Sequence, residues 1–332
     1  MIRRPPRSTQ GVSSAASDVY KRQVTAVREI GILMRCRSHP NIVTLLKVVQ
    51  GKHNAIFLVF EYCEHDIGKL MQTMRAPFQV SEVKTLTIQL LSAVSFLHEM
   101  HVFHRDLKMS NLLLNNRGEL RLCDLGLARQ FAPPGSLEDG AYTAKVVTLW
   151  YRAPELLLGL RRYGPAVDTW AVGCILAEFL RNRPIFPGKT ETDTVARVFA
   201  ELGAPHDGIW PGWSSLPLAG AFAVPHQPYN HLSITFAAFG ADAVDLLTQL
   251  LTYDPAKRCG AAGALAHRFL ARNSDPPPKP ERDMPTFRSI NAHEADERAR
   301  RELGGANKLG DWNRDDDRRG RDEDPRGLKK RR

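Results

Sequence analysis

His104-Arg105-Asp106-Leu107-Lys108-Met109-Ser110-Asn111, followed by Asp124-Leu125-Gly126, is the stretch on which the reading of this chain turns. Between the two runs, Leu112-Leu113-Leu114 and Leu120-Arg121-Leu122 flank the turn residues Asn115-Asn116-Arg117-Gly118. That is a hairpin pattern, and it folds Asn111 and Asp124 back towards each other. An isolated carboxylate is usually surface decoration. Here two carboxylates, an amide and a lysine recur at set intervals around one turn. The oxygens of an Asn and an Asp suit a hard cation such as Mg2+. Chemistry on a phosphate needs such a metal, a residue that orients the attacking hydroxyl and a cation for the transferring group. Asp106 and Lys108 answer the last two needs, and Asn111 and Asp124 the first.

Outward from this stretch the pattern is α+β, with a small strand-bearing piece ahead of a large helical body. Val24 to Arg37 predicts a helix with Val27, Ile30, Leu33 and Met34 at helical spacing. His39-Pro40-Asn41 ends it, because the residue before proline avoids helix. Ile42 to Val49 and Ala55 to Phe60 read as strands joined by the turn Gly51-Lys52-His53-Asn54. Val80 to His98 is a long helix, and 167–180 a buried one. No apolar run approaches the roughly 18 residues of a membrane span, the longest candidate being Trp170 to Leu180. Five scattered cysteines without a C-x-x-C pair suggest a reduced, intracellular protein without a zinc site. The net charge of +10 divides into +4 over residues 1–23, +4 over 24–272 and +2 over 273–332. A folded part at +4 gives no argument for direct nucleic-acid binding.

Ala153-Pro154-Glu155 follows Asp124 at a distance typical of an activation segment. With it, the set resembles the protein-kinase signature H-R-D-L-x-x-x-N, D-F-G and A-P-E. Lys108, two residues after Asp106, resembles serine/threonine kinases. Thr148-Leu149-Trp150-Tyr151-Arg152-Ala153-Pro154-Glu155 looks like the cyclin-dependent and mitogen-activated group, and Val24-Thr25-Ala26-Val27-Arg28-Glu29 like the cyclin-contacting helix. Lys108-Met109-Ser110-Asn111, Glu64-His65-Asp66, Ile209-Trp210-Pro211-Gly212 and Met284-Pro285-Thr286-Phe287 are most similar to the branch of cyclin-dependent kinases ten and eleven. The resemblance runs from about Val24 to Arg288.

It implies a two-lobe kinase, its small lobe incomplete. ATP and Mg2+ would be its cofactors, a cyclin its partner and proteins with Ser/Thr-Pro its substrates, in cell-cycle or transcription control, with no direct nucleic acid and no membrane. Asp106 and Lys108 would be catalytic, and Asn111 and Asp124 would hold the metal. Phe60 would be the gatekeeper, Glu61, Tyr62 and Cys63 the hinge along adenine, and Leu113 the floor beneath it. Asp66 would reach the ribose, or cap the helix holding Lys69 and Leu70, or both. Thr143, beside Tyr142, would be the activation phosphosite, with Arg28, Arg105 and Arg129 receiving its phosphate. Arg152 would form the substrate-proline pocket. Glu29, Asp168 and a Glu155–Arg258 pair would be structural.

Two departures stand against the pattern. Leu125 replaces the usual Phe of D-F-G. No G-x-G-x-x-G loop and no V-A-I-K lysine precede Val24, so the lysine partner that the resemblance gives Glu29 is not in this chain, and the strand at 55–60 is expected to be an exposed edge. These absences leave two readings, an incompletely represented active kinase or a non-catalytic kinase-like binding protein. Residues 1–23 read as a non-native leader, since Asp18 to Gln23 looks like a translated transposon end. The remaining parts divide as 24–62 for the small lobe, 63–271 for the large lobe, a Pro-rich extension at 272–290 and a disordered charged tail at 291–332. Lys329-Lys330-Arg331-Arg332 reads equally as a nuclear-import signal or a solvated basic end, consistent with a nuclear or cytoplasmic place.

Overall fold

The computed structural model describes residues 2–3, 26–51, 56–131, 148–222 and 229–288. Residues 1–286 form one compact unit, and 287–332 a second, of which only Phe287 and Arg288 are described. The expected disordered tail therefore lies outside the described residues, as does most of the expected leader.

The strand-bearing part holds β1 (Ile2–Arg3), the helix α1 (residues 26–35), β2 (Leu45–Gln50) and β3 (Ile56–Phe60). The sheet order is β1-β3-β2, all antiparallel, with Val48 opposite Leu58 and a register shift between Leu45 and Lys47. The sequence leads one to expect β3 as a bare edge. It is not: Ile2 and Arg3 pair with Val59 and Leu58. On α1 the buried positions are Ile32 and Leu33, with Cys36 just beyond, whereas Val27 and Met34 are 65% and 67% exposed. The apolar stripe seen in the sequence is thus wider than the face this fold covers.

Asn41 and Ile42 cross to the helical part, where Leu122 N–H donates to Asn41 O and Val43 N–H to Leu122 O. There β4 (His65–Asp66), β6 (Leu112–Leu114) and β7 (Leu120–Leu122) form one antiparallel sheet, and β5 (Val102–Phe103) pairs with β8 (Arg129–Gln130). The helices are α2 (Ile67–Thr73), α3 (Val80–Glu99), α4 (Pro154–Leu157), α5 (Ala166–Arg181), α6 (Glu191–Leu202), α7 (Leu232–Thr235), α8 (Ala241–Leu250) and α9 (Ala261–Leu265).

The core is built on α3 and α5. By length and composition α3 is apolar enough to cross a membrane, a property that the sequence reading gives to no segment. Its most apolar window is 72% buried inside the fold, as expected of a core helix. On α5, Trp170 and Phe179 are fully enclosed. Gly173 lets α8 approach, since a Cβ there would stand 2.8 Å from Leu251 Cδ2. The residues after α9 bind along α3. Lys84 Nζ, on a fully buried side chain, donates to Ser274 Oγ at 2.9 Å and Pro276 O at 2.5 Å, and burial pulls its pKa down. Lys279 adds a 2.8 Å ion pair to Glu82.

Arg258 and Glu155 meet as expected, in a bidentate pair at 2.7 and 2.9 Å with both side chains enclosed. Arg258 also donates to the carbonyls of Ala166, Thr252 and Tyr253 and lies over the Trp170 ring. Arg258 thereby ties the first turn of α5 and the turn after α8 to Glu155. Arg258→Met leaves Glu155 buried and unpaired, and is expected to cost about 3–5 kcal/mol in urea unfolding. A loss below about 1 kcal/mol would show the pair to be incidental.

Candidate active site

The catalytic stretch hangs between β5 and β6 and is fixed from below by α5. Asp168 Oδ2 accepts from His104 N–H at 2.7 Å and Oδ1 from Arg105 N–H at 2.9 Å, while His98 Nε2 lies 2.9 Å from Oδ2. Burial alone would raise the Asp168 pKa, but the bond and charge of His98, with His104 and the Arg105 N–H, hold it below the usual carboxylate range. Arg105 is left-handed, with φ 68°, a conformation that costs a non-glycine residue about 1–3 kcal/mol and persists only where neighbours over-determine it. The Asp168 bonds do so. His104 adds a second tie, its Nδ1 accepting from Asp106 N–H at 3.2 Å and its Nε2 facing Cys123 O at 3.1 Å.

On this support Lys108 Nζ meets Asp106 Oδ2 at 2.5 Å. Asn111 Nδ2 donates to Asp106 O at 2.8 Å, and Thr148 N–H approaches Asp106 Oδ1 at 3.3 Å. The hairpin does what the sequence predicts, for Cys123 N–H donates to Asn111 O at 2.9 Å and so places Asn111 beside the residue preceding Asp124. Asp124 is also left-handed, with φ 67°. The hairpin is gripped by Gln89 of α3, whose amide accepts from Leu120 N–H and Asn41 Nδ2 and donates to Gly118 O.

Asn111 Oδ1 is the informative atom. It is buried, and no hydrogen-bond partner meets it among the described residues. A buried carbonyl oxygen without a donor is costly unless a cation takes that place. An Asn–Asp pair fits Mg2+, which keeps several waters and binds few protein ligands alongside phosphates. A position at the Cβ of residue 126 would lie 3.4 Å from both Asp124 Oδ1 and Glu29 Oε2, so α1 delivers Glu29 to the same place. Glu29 is engaged in an interaction in this structure, although the lysine that the resemblance gives it is not in the sequence.

Around this centre the other expected residues take definite places. Leu112 and Leu114 are fully buried, whereas Leu113, facing the other way, is half-buried. The Glu61 carboxylate accepts from Thr44 N–H at 2.7 Å and pairs with Arg121 at 3.1 Å, so its side chain ties the residue preceding β2 to β7. Cys63 is buried, and its thiol is pushed up to about 12 by burial. Asp66 caps α2 through Lys69 N–H at 3.1 Å, which is the capping role. Arg105 donates to Leu127 O and Tyr163 Oη, and Arg129 to Ala128 O. Arg28 Nη1 is buried and has no hydrogen-bond partner among the described residues. Tyr142 and Thr143 lie outside the described residues. Arg152 pairs with Glu191 at 2.6 Å.

Residues 12–270 match the protein kinase domain family. A probable cyclin-dependent kinase 10 of Dictyostelium discoideum is 48% identical over 269 residues, which cover 80% of this chain and 72% of that protein. The chain belongs to the protein kinase family, in its cyclin-dependent branch. Cyclin-dependent kinase G-2 of Oryza sativa subsp. japonica is 48% identical over 289 residues, covering 84% of this chain but 39% of the relative. Human cyclin-dependent kinase 11B is 47% identical over 249 residues, 74% of this chain and 31% of its own length. This chain thus spans less than half the length of these last two relatives. Among solved structures, the yeast RNA Pol II CTD kinase CTDK-1 complex is similar with a TM-score of 0.71 and 33% identity, over 78% of this chain and 84% of that one. The CAK complex of Chaetomium thermophilum bound to ATP-gamma-S gives a TM-score of 0.72 and 38% identity, over 80% and 81%.

Sequence reading misses several residues of this kinase site. Gln89, His98 and Tyr163 act through long-range bonds, and no local spacing announces them. The same holds for the buried bond from Tyr151 Oη to Glu178 Oε2 at 2.7 Å, beneath the loop that carries Arg152. Burial pushes Glu178 up to about 7, although the Tyr151 bond opposes it. An acid raised in the folded state contributes stability that is full below its unfolded pKa, near 4.3, and is lost as pH rises towards about 7. Glu178→Gln is therefore expected to gain stability relative to wild type between pH ~5 and ~8 in urea titrations. Parallel pH profiles for the two proteins would show that Glu178 does not titrate in that window.

Proposed function

We propose that this protein transfers the γ-phosphoryl group of ATP to the hydroxyl of a serine or threonine followed by proline, under the control of a cyclin. The observation that carries the reading is the Lys108–Asp106 contact beside Asn111 Oδ1, which meets no hydrogen-bond partner among the described residues, all on a loop pinned by Asp168. Asp106 orients the substrate hydroxyl and takes its proton as the oxygen bonds to phosphorus. The bond from phosphorus to the departing ADP oxygen breaks in the same displacement. Lys108, held against Asp106, sets positive charge beside the transferring group. Asn111 and Asp124 would hold a Mg2+ ion, which would supply charge neutralisation on the phosphate oxygens.

Exposed apolar surface supports the cyclin partner, as do the relatives. Val27 and Met34 of α1 and Leu46, Val48 and Val49 of β2 are exposed, more apolar surface than a small sheet ordinarily shows to water. The proline preference rests on Arg152, and the switch at Thr143 on Arg28, Arg105 and Arg129, with the buried Arg28 Nη1 as a donor for phosphate. Nuclear import through Lys329-Lys330-Arg331-Arg332 belongs to the same reading.

The 332-residue polypeptide carries neither the glycine loop nor the strand lysine before Val24. Charge and cover over the phosphates would come from those parts, so the polypeptide alone, with a cyclin added, is expected to transfer radiolabelled phosphate no faster than its Asp106→Asn variant. Joined to a small-lobe segment that bears both parts, it is expected to phosphorylate Ser-Pro peptides in preference to Ser-Ala peptides, at least ~10²-fold above Asp106→Asn. Transfer by neither protein would favour the binding-protein reading. Transfer without proline preference would overturn the role of Arg152.

A further inference from the structure

Met284 and the Pro-rich residues before it take no part in the phosphoryl transfer described above, yet they are bound closely to the helical part. The first contacts run along the start of α3. Lys84 Nζ donates to Ser274 Oγ and Pro276 O, Lys279 N–H donates to Ser81 O at 3.0 Å, and Thr85 Oγ1 donates to Lys279 O at 2.6 Å. Lys279 Nζ pairs with Glu82. The chain then turns at Glu281–Asp283 and seats Met284, only 5% exposed, against the tip of the β6–β7 hairpin. The contact is at Gly118. A Cβ there would stand 2.8 Å from Met284 Cβ and 2.9 Å from Met284 Cγ, closer than packed carbon atoms come. Gly118 also has φ +80°, so the turn and the close approach both require glycine.

The hairpin is small, with three residue pairs between β6 and β7 and two between β4 and β6. So small a sheet is marginal by itself and takes its position from what packs against it. Gln89 of α3 holds the Gly118 carbonyl at 2.9 Å, and Met284 covers the Gly118 Cα. Both holds start from α3, one directly and the other through the extension. The residues read as metal ligands lie at the opposite end of the hairpin, Asn111 just ahead of β6 and Asp124 two residues after β7. A twist between the two strands therefore changes the separation of those ligands.

We propose that residues 272–286 are a strap that positions the two metal ligands, Met284 being the positioning residue and Gly118 the point through which it acts. This rests on the reading of Asn111 and Asp124 as holding a divalent cation, and it adds the C-terminal extension to the parts on which that site depends. A tip that is held keeps the strands from twisting, so the ligands at the base meet the cation without first having to be ordered.

The probe is Mn2+ alone, titrated into the full chain and followed by the relaxation of water protons, with amide hydrogen exchange measured on the same proteins. Asp124→Asn is expected to remove the Mn2+ site, which identifies it. Met284→Ser is expected to weaken Mn2+ binding about tenfold and to raise exchange of the Cys123 amide by a similar factor, while the amides of α5 keep their protection. Met284→Leu, similar in volume and polarity, is expected to restore both. Lys279→Glu sets a like charge against Glu82, away from the hairpin, and is expected to act in the same direction, which keeps the test decisive should Met284→Ser fail to fold. Unchanged Mn2+ affinity in Met284→Ser and Lys279→Glu overturns the positioning role. Faster Cys123 exchange does not rescue it, because that reports packing alone. Equal Mn2+ affinity of wild type and Asp124→Asn overturns the metal reading instead, and the Cys123 exchange then decides whether the strap fixes the hairpin.

Discussion

Asp168 is almost wholly enclosed on α5, and the backbone donors of His104 and Arg105 and the ring of His98 converge on its two oxygens. Everything above it depends on that convergence. The Arg105 backbone is held left-handed there, and this turn presents Asp106 to Lys108 and the backbone of Asp106 to Asn111. A loop built of irregular backbone has donors that no helix or strand can satisfy, and a buried carboxylate satisfies two of them at once. The cost of enclosing the charge is offset by those charge-assisted bonds, as the lowered Asp168 pKa reports.

The same device recurs wherever irregular segments meet the helical core. Arg258 gathers Glu155 and three carbonyls, Lys84 gathers Ser274 and Pro276, and Gln89 gathers Asn41, Gly118 and Leu120. In each case a long polar side chain on or beside a core helix supplies donors or acceptors to neighbouring segments. The apolar faces of α3 and α5 supply the burial. These polar ties decide where the loops stand, and so where the chemistry can occur.

That division explains what could be read from the sequence. The hairpin at 112–122, the long helix from Val80 and the buried helix over Ala166–Arg181 follow from local pattern, and the structure has them within a residue or two. The grouping of Asp106, Lys108 and Asn111 was legible because their spacing is local. Gln89, His98 and Tyr163 were not, because each acts on residues far away in the chain and resembles ordinary helix or loop sequence. On α1, periodicity reveals an apolar stripe but not which part of it this fold covers, and Val27 and Met34 prove to be outside. At β3 the sequence leads to a free edge, because a two-residue strand such as Ile2–Arg3 has too little pattern to announce itself.

The claim that one buried carboxylate sets the catalytic loop is tested most directly by amide hydrogen exchange in wild type and Asp168→Asn. The account predicts that exchange at residues 104–111 rises by at least about tenfold in the variant, while the amides of α8 keep their protection. Unchanged exchange at 104–111 in a folded Asp168→Asn protein would contradict it.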